Sequence, residues 1–425
     1  MIDIKKIREN PDDFKAACRE KNFKADIDRL LMVDAELKDI KAKLQNIATE
    51  KNAVGKSIPN LANNDKKDAL AKLAQLKQQE VLLNEQAKEL QPELDSLLLL
   101  VPQPADADVP VGKDDTENVE IRKWGKIRQF DFEPKDHIQL GTDLDIIDIP
   151  RGVKLAGTRN YFLKGAGAML HWAVLRFATD FMAGKGYMPM LPPMLMRNEA
   201  MAGTGYFPGS EEQTYQMERD ELNLAGTAEV ALTAYYMNEL LQKEQLPVKF
   251  AGLSTCYRRE AGAAGKDTYG LYRIHQFDKV EQVIICENDD EQSAKFHDEI
   301  QANSEGVMQA MGIPYRVVNV CSGDLGRGQA KKFDIEAWMP SRNSFGETHS
   351  ASKFYDFQAR RLNMRYKDPA TKKNLFCHTL NNTVIASPRV LISILELNQN
   401  KDGSITIPEV LRPYMGGIKK IVRVS

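Results

Sequence analysis

The stretch CYRREAGAAGKDTYGLYRIHQFDKVE, residues 256–281, sets Arg258, Arg259 and Glu260 before a glycine- and alanine-rich loop and follows the loop with Arg273, His275, Phe277, Lys279 and Glu281. Read as two strands, it sends Cys256, Arg258 and Glu260 to one face and Tyr257 and Arg259 to the other; beyond the loop the odd-numbered residues again share a face. Burying such a face without a ligand is costly, because each ion loses its hydration. An arginine fork suits phosphate or carboxylate, an aromatic ring stacks on a purine, and a glutamate fixes an ammonium or a hydroxyl. Together these groups suit an adenylated amino acid; a surface hairpin with cross-strand ion pairs is the competing account. The small residues 261–265 let the loop backbone approach a ligand closely, and Lys266 and Asp267 at its tip are available to an outside partner. His275 shares the nominal face but reads as structural rather than as a base.

Other segments carry compatible chemistry. Thr227 and Glu229 stand two apart before an apolar helix, where capping alone also accounts for the threonine. Glu347 and Ser350, three apart, could share a hard divalent cation with phosphate oxygens, or simply make turn hydrogen bonds. HTLNNT offers Asn381 and Thr383, and after a Ser-Pro pair Arg389 falls in the first turn of a helix, as a phosphate anchor at its positive end or as a solvated side chain. No GxxxxGK[ST] occurs, and GAGA at 165–168 is too common to count as a phosphate loop.

The elements that must hold these groups divide near residue 100. The first hundred residues hold 18 Lys/Arg and 18 Asp/Glu, but only Phe14 and Phe23 as aromatics and Gly55 as the one glycine; the other 26 glycines follow. Leu30, Val33, Leu37, Ile40, Leu44, Ile47 and Val54 form an a/d stripe, and Leu76, Leu83, Leu90 and Leu97, with Ala87 and Leu94, form a second. VGKSIPNLANND between them is a turn, so the spacing predicts an antiparallel helical hairpin over about 28–98, two helices of roughly 30 residues each. It is a spacer or oligomerisation rod, or an arm whose Lys38, Lys41, Lys43, Lys51 and Lys56 meet nucleic-acid phosphates. Residues 1–100 are thus one domain, the proline-rich 101–118 a linker, and 119–425 the second domain. Within it VEIRKWGKIR and DLDIIDI read as strands, GAGAMLHWAVLRFATDFMAGKG as an amphipathic helix and YMPMLPPMLM as extended chain.

The 425 residues carry 58 basic against 60 acidic groups, a net charge of -2, which excludes a wholly basic nucleic-acid binder but not a local basic stripe. Five scattered cysteines without a CxxC suggest reduced thiols. There is no apolar run of about 18 residues and no apolar segment after the lysines of MIDIKKIREN, so a cytoplasmic location and no membrane association are expected.

In number and order these segments resemble the signatures of class II aminoacyl-tRNA synthetases, and within them the seryl-tRNA synthetases. GAGAMLHWAVLRFATDFMAGKGYMPMLPP is similar to motif 1, CYRRE with GLYRIHQFDKVE to motif 2, and ASPRVLISILE to motif 3. TAE, WMPSR, DFQARR and HTLNNT are seryl-type marks, and the similarity spans essentially the whole chain. The resemblance implies an α+β fold, with an antiparallel sheet flanked by helices and an N-terminal antiparallel coiled-coil arm. It implies ATP and Mg2+ as substrate and metal, L-serine as the amino acid, and a homodimer whose arm grips the long variable arm and elbow of tRNA(Ser), with tRNA(Sec) a further substrate where the host has one.

Carried over to this sequence, the family's roles put Arg258 and Arg389 on the ATP phosphates, Glu260 at the adenine end and Phe277 stacked on the ring. Thr227, Glu229, Arg273, Glu281, Asn381 and Thr383 fall on the serine pocket, with Arg273 on the carboxylate, Glu229 on the amino group, and Glu281 and Thr383 on the hydroxyl. Glu347 and Ser350 fall on the metal ligands. Ala351, Lys353 and Asn382 depart from the commonest family residues, and Arg259 holds a variable place. The rival expectations are a relative that charges a carrier instead of tRNA, which would need no arm, and an interaction protein with a degenerate catalytic domain.

Overall fold

The computed structural model describes residues 1–261 and 269–423. The chain divides into two compact units, residues 2–102 and the chain from residue 103 onward.

In the first unit two short helices, Ile4–Glu9 and Pro11–Glu20, precede α1 (Ile27–Ser57) and α2 (Asn63–Leu100). Asp26 starts α1 by accepting the Arg29 N–H, satisfying a donor the helix cannot pair. Leu30, Val33, Leu37, Ile40 and Ile47 are buried on α1, and Leu76, Leu94 and Leu98 on α2, so the heptad seam holds the two helices together. α1 continues four residues into the expected turn, from Val54 through Gly55 to Ser57, and the turn proper shrinks to Ile58–Asn60 and its flanks. Ion pairs Arg29–Glu93 at 2.7 Å, Lys51–Glu80 at 2.6 Å and Lys72–Glu50 at 3.6 Å run across the hairpin in antiparallel register. All three reach solvent, which screens them, so they set register more than they add stability. Among the lysines expected to meet phosphate, Lys51 is thus engaged with Glu80; Lys38, Lys41, Lys43 and Lys56 are exposed, although Lys43 pairs with Asp39 at 2.6 Å and Lys41 donates to Gln91 at 3.4 Å.

The second unit is built on a sheet of eight strands among the described residues. These are β1 (Val119–Trp124), β2 (Met188–Met190), β3 (Val248–Tyr257), β4 (Gln276–Cys286), β5 (Tyr315–Asn319), β6 (Lys331–Met339), β7 (Ser344–Tyr355) and β8 (His378–Ser387). Their order is β1-β5-β6-β7-β8-β4-β3-β2. Every pairing is antiparallel except that of β2 with β3, so the sheet is mixed at one edge. Its central strands are buried on both faces: β8 is apolar or hydrogen-bonded along nearly its whole length.

The helices α3 (His137–Asp143), α4 (Ala166–Gly184), α5 (Asp290–Ala310) and α6 (Arg389–Leu397) flank the sheet. α4 buries Leu170, Ala173, Val174, Ala178 and Met182 against it; of the stripe Met169, Leu170, Ala173, Val174, Phe177 and Phe181 that the 3.6-residue period predicts, Leu170, Ala173 and Val174 are buried, Phe177 and Phe181 are half-buried and Met169 is exposed. DLDIIDI forms only the two-residue strand Ile147–Asp148 before a helix begins at Ile149. Residues 103–118 are not a free tether: Val109 packs on Val318, Val320 and Leu325, and Asp106 pairs with Lys353 at 2.6 Å. Lys353, one of the departures, is only 4% exposed and finds its counter-ion there. Asn382, another, donates to Ile300 O and Ser304 Oγ, both at 2.9 Å, and stitches α5 to β8.

Candidate active site

β4, β7, β8 and the start of α6, with residues 227–229, 258–260 and 271–274, enclose a cavity of about 260 Å³, just below the roughly 300–1,000 Å³ usual for small-molecule sites. Thr227, Glu229, Arg258, Glu260, Arg273, Phe277, Glu281, Glu347, Ser350, Asn381, Thr383 and Arg389 all line it. Its two ends differ. Thr227, Glu229, Glu281, Asn381 and Thr383 are each under 9% exposed, whereas Arg258 is exposed and the Glu347 side chain is 52% exposed.

Strand alternation accounts for part of this placement. Phe277, Lys279 and Glu281 face the cavity from β4 as expected. Regular strand ends at Tyr257 and resumes at Gln276, however, so alternation does not govern residues 258–275. There Leu271, Tyr272, Arg273 and Ile274 all line the cavity. His275 does not: its Nδ1 sits 3.0 Å from the Arg258 carbonyl, where it braces the hairpin as a structural histidine. The nominal shared face is corrected to that extent. Arg259 is outside the lining, and residues 262–268, with Lys266 and Asp267, lie outside the described residues.

At the open end Arg389 is oriented before any ligand arrives. Its Nε donates to Tyr272 O at 3.1 Å, its Nη1 to Glu347 O at 3.0 Å, and its guanidinium lies 4.4 Å from the Tyr272 ring centroid. Arg342 stacks on the same ring, also at 4.4 Å. Arg258 lies 5.2 Å over Phe277 and donates to Gly226 O, and Arg273 donates to Glu260 at 2.7 Å. Partial desolvation at the cavity mouth pushes the Glu347 carboxyl up, but Arg389, Lys332, Arg258 and Arg273 outweigh it and leave the carboxyl below its usual range.

The donor set beside Arg389 suits magnesium. Glu347 and the Ser350 hydroxyl supply hard oxygens, and no cluster of three or more His, Cys, Asp or Glu able to hold a metal occurs among the described residues. A magnesium ion that keeps waters and takes phosphate oxygens needs no larger protein cage. Behind Ser350, across the β6–β7 pairing, sits Asp334, whose carboxyl burial pushes up to about 7 against the pull of Lys332.

At the buried end Glu229 is pinned from two sides. Tyr206 OH donates to one oxygen at 2.9 Å and Gln358 Nε2 to the other at 2.9 Å, while Gln358 itself accepts from Thr379 at 2.6 Å. The Asn381 Oδ1 is buried and unpartnered among the described residues, an acceptor that a ligand could satisfy.

Two profiles and many relatives match this chain. A profile described as tRNA synthetase class II core domain (G, H, P, S and T) covers residues 213–398, and one described as Seryl-tRNA synthetase N-terminal domain covers residues 1–104. The serine-tRNA ligase of Deinococcus radiodurans is 44% identical over 417 residues, 98% of each chain. The chain belongs to the serine-tRNA ligase family. It is a class II aminoacyl-tRNA synthetase that activates serine and charges tRNA(Ser). The serine-tRNA ligase of Methanocella arvoryzae is 41% identical over 430 residues, 99% of this chain and 100% of its own. A crystal structure of seryl-tRNA synthetase from Pyrococcus horikoshii complexed with ATP superposes with a TM-score of 0.94 at 37% identity, each chain fully covered.

Further residues of this chain support the cavity that sequence reasoning did not assign. Tyr206 and Gln358 come from segments distant in sequence, and only the fold brings them to Glu229. His137, on α3, ties the motif 2 return to the motif 3 helix. Its Nε2 accepts the Leu271 N–H at 3.2 Å, so its Nδ1 carries the proton and donates to Glu396 on α6 at 2.7 Å. Gly270 is required beside it: it has φ +84°, and an added Cβ would fall 2.3 Å from His137 Nε2. No helix among the described residues is long and apolar enough to cross a membrane.

Proposed function

We propose that serine lies at the buried end of this cavity and ATP at its open end, and that the helical hairpin presents tRNA to them. The observation that carries this reading is that residues from six separated segments converge on one cavity, with the hydroxyl- and ammonium-binding types buried and the phosphate-binding types at the mouth. Glu229 takes the substrate ammonium, Arg273 its carboxylate, and Glu281 with Thr383 the hydroxyl, while Asn381 supplies its buried acceptor. Arg258 and Arg389 hold the phosphates, Glu260 the adenine edge and Phe277 the ring. Glu347 and Ser350 would hold the magnesium ion, which when bound supplies charge neutralisation to the phosphates.

Serine's carboxylate oxygen attacks the α-phosphorus, the bond to the bridging oxygen breaks, and pyrophosphate leaves with the electron pair. The 3'-terminal ribose hydroxyl of tRNA then attacks the adenylate carbonyl and AMP leaves. The residues here position the reactants and offset charge: Arg389, fixed by two carbonyls and a ring, reorganises little as charge grows on the leaving group.

Glu229 sets a pH dependence. Burial first, and the Glu281 charge next, raise its carboxyl above the usual range, so it takes a proton at a higher pH than a free glutamate. A protonated Glu229 cannot pair with an ammonium. Serine affinity is therefore full above the raised value and lost below it. KM for serine is expected to rise about tenfold per pH unit on the acid side, whereas Glu229→Gln has a high and pH-independent KM. A wild-type KM for serine that begins to rise on the acid side no earlier than it would for a free glutamate contradicts this role.

The arm carries the tRNA step through backbone and shape contacts by its exposed lysines. Met169 and Trp172 on α4, Met188 on β2 and Leu191 just beyond it are exposed apolar side chains, as a homodimer interface requires. tRNA(Sec) is the further substrate where the host has it, and the cytoplasm is the expected compartment. The test is charging of total tRNA by the whole protein and by a variant lacking residues 28–98. Charging is expected to be lost and serine-dependent ATP–pyrophosphate exchange kept; undiminished charging removes the arm from the mechanism.

A further inference from the structure

Lys279 is a buried cation in the serine end of the cavity to which no role has yet been given. It is 5% exposed, on β4 between Phe277 and Glu281, and faces the cavity. A lysine is almost never buried unless its charge is paired. Its Nζ donates to Thr227 Oγ1 at 2.7 Å and forms an ion pair with Glu281 Oε2. We propose that Lys279 is a positioning residue for serine selection, fixing which hydrogen-bond partner Thr227 and Glu281 each offer the substrate; this rests on the serine pocket proposed above.

Thr227 Oγ1 also accepts the Glu229 N–H at 3.2 Å. A hydroxyl has two acceptor positions and one proton. With both positions filled, by Lys279 and by Glu229, Thr227 has only its proton to offer. It therefore meets an acceptor: the substrate carboxylate, or the carbonyl oxygen of the adenylate, and not the ammonium.

Glu281, 2% exposed, gains a counter-charge from Lys279 and accepts from Thr383 Oγ1 at 3.5 Å. As a carboxylate it can only accept, so a substrate hydroxyl must donate to it. Charge balance completes the assignment. The pocket buries two carboxyl groups, Glu229 and Glu281, and a bound serine brings one ammonium. Lys279 answers Glu281, which leaves the substrate ammonium to Glu229 alone. Without Lys279, two buried carboxyl groups compete for one ammonium, and Glu281 is free to turn toward the substrate amine instead of its hydroxyl.

The test is ATP–pyrophosphate exchange with serine and with alanine, measuring KM for each amino acid and for ATP, together with the melting temperature of every variant. Lys279→Met is expected to raise KM for serine by about 100-fold or more and to lower the serine/alanine preference at least about tenfold, with KM for ATP changed by less than about threefold. Lys279→Arg is expected to recover part of the loss, its KM for serine staying about tenfold above wild type because the planar fork cannot reproduce both contacts of an ammonium. Adding Glu281→Gln to Lys279→Met removes the excess charge and is expected to lower KM for serine again without restoring the preference over alanine. If Lys279→Met does not fold, the serine-against-ATP split in Lys279→Arg decides, and an unchanged KM for serine there overturns the proposal. Wild-type serine KM and selectivity in Lys279→Met, beside their loss in Glu281→Ala, overturn the Lys279 role alone. If Glu281→Ala also leaves both unchanged, the serine pocket itself is wrong.

Discussion

Arg389→Ala is expected to lower kcat/KM for serine-dependent ATP–pyrophosphate exchange by at least about 10³-fold, or about 4 kcal/mol of transition-state stabilisation. The size follows from how the side chain is held. Two of its N–H groups go to the Tyr272 and Glu347 carbonyls and its plane rests on the Tyr272 ring, so the remaining donors point at the cavity at no further ordering cost. Glu347 loses its principal neighbouring cation in the same substitution, which weakens the hold on magnesium as well. Arg389→Lys should recover little, since one ammonium cannot reach both carbonyls and a phosphate. Folding should change by no more than about 1 kcal/mol, because the residue opens α6 and is not in its buried face. Exchange at the wild-type rate in a folded Arg389→Ala protein removes the phosphate role.

The second large effect belongs to Glu281→Ala. A site built to hydrogen-bond a substrate hydroxyl rejects the analogue lacking it by as much as about 10⁴-fold, because its buried groups are then left unpaired. Removing Glu281 leaves Lys279 buried without its counter-charge and Thr383 without its acceptor. Serine should therefore lose about 10³-fold in kcat/KM while alanine loses far less, and the preference between them should shrink by about 10²-fold. Steady-state exchange with both amino acids checks this. An equal loss for serine and alanine would mean that Glu281 is structural rather than selective.

Much of this site was legible before the fold because its residues lie in short contiguous strings. TAE, CYRRE, HQFDKVE, GETHS, LNNT and SPR each carry their chemistry locally, and the family resemblance orders them. The helical hairpin was legible for a different reason. A heptad seam is a long periodic signal, and the burial of Leu30, Val33, Leu37 and Ile40 follows it position by position. What failed was inference across a break in regular structure. Alternation predicts strand over residues 271–275, but His275 N is drawn to Arg159 O and Leu271 N to His137, so contacts from remote segments set their conformation and bring Tyr272 into the cavity. Lys279 showed the opposite failing: its face was right, but a lysine on a strand carries no sign that it will be buried between a threonine from residue 227 and a glutamate two places on. Tyr206, Gln358 and His137 are support residues whose partners are known only once the chain has folded.

The claim that this cavity makes an adenylate of serine is tested most directly by ATP–pyrophosphate exchange with wild-type protein and each of the standard amino acids in turn, in magnesium. Serine is expected to support exchange, with alanine and threonine lower by at least about 10²-fold. Exchange driven equally well by another amino acid, or none with serine, contradicts the account.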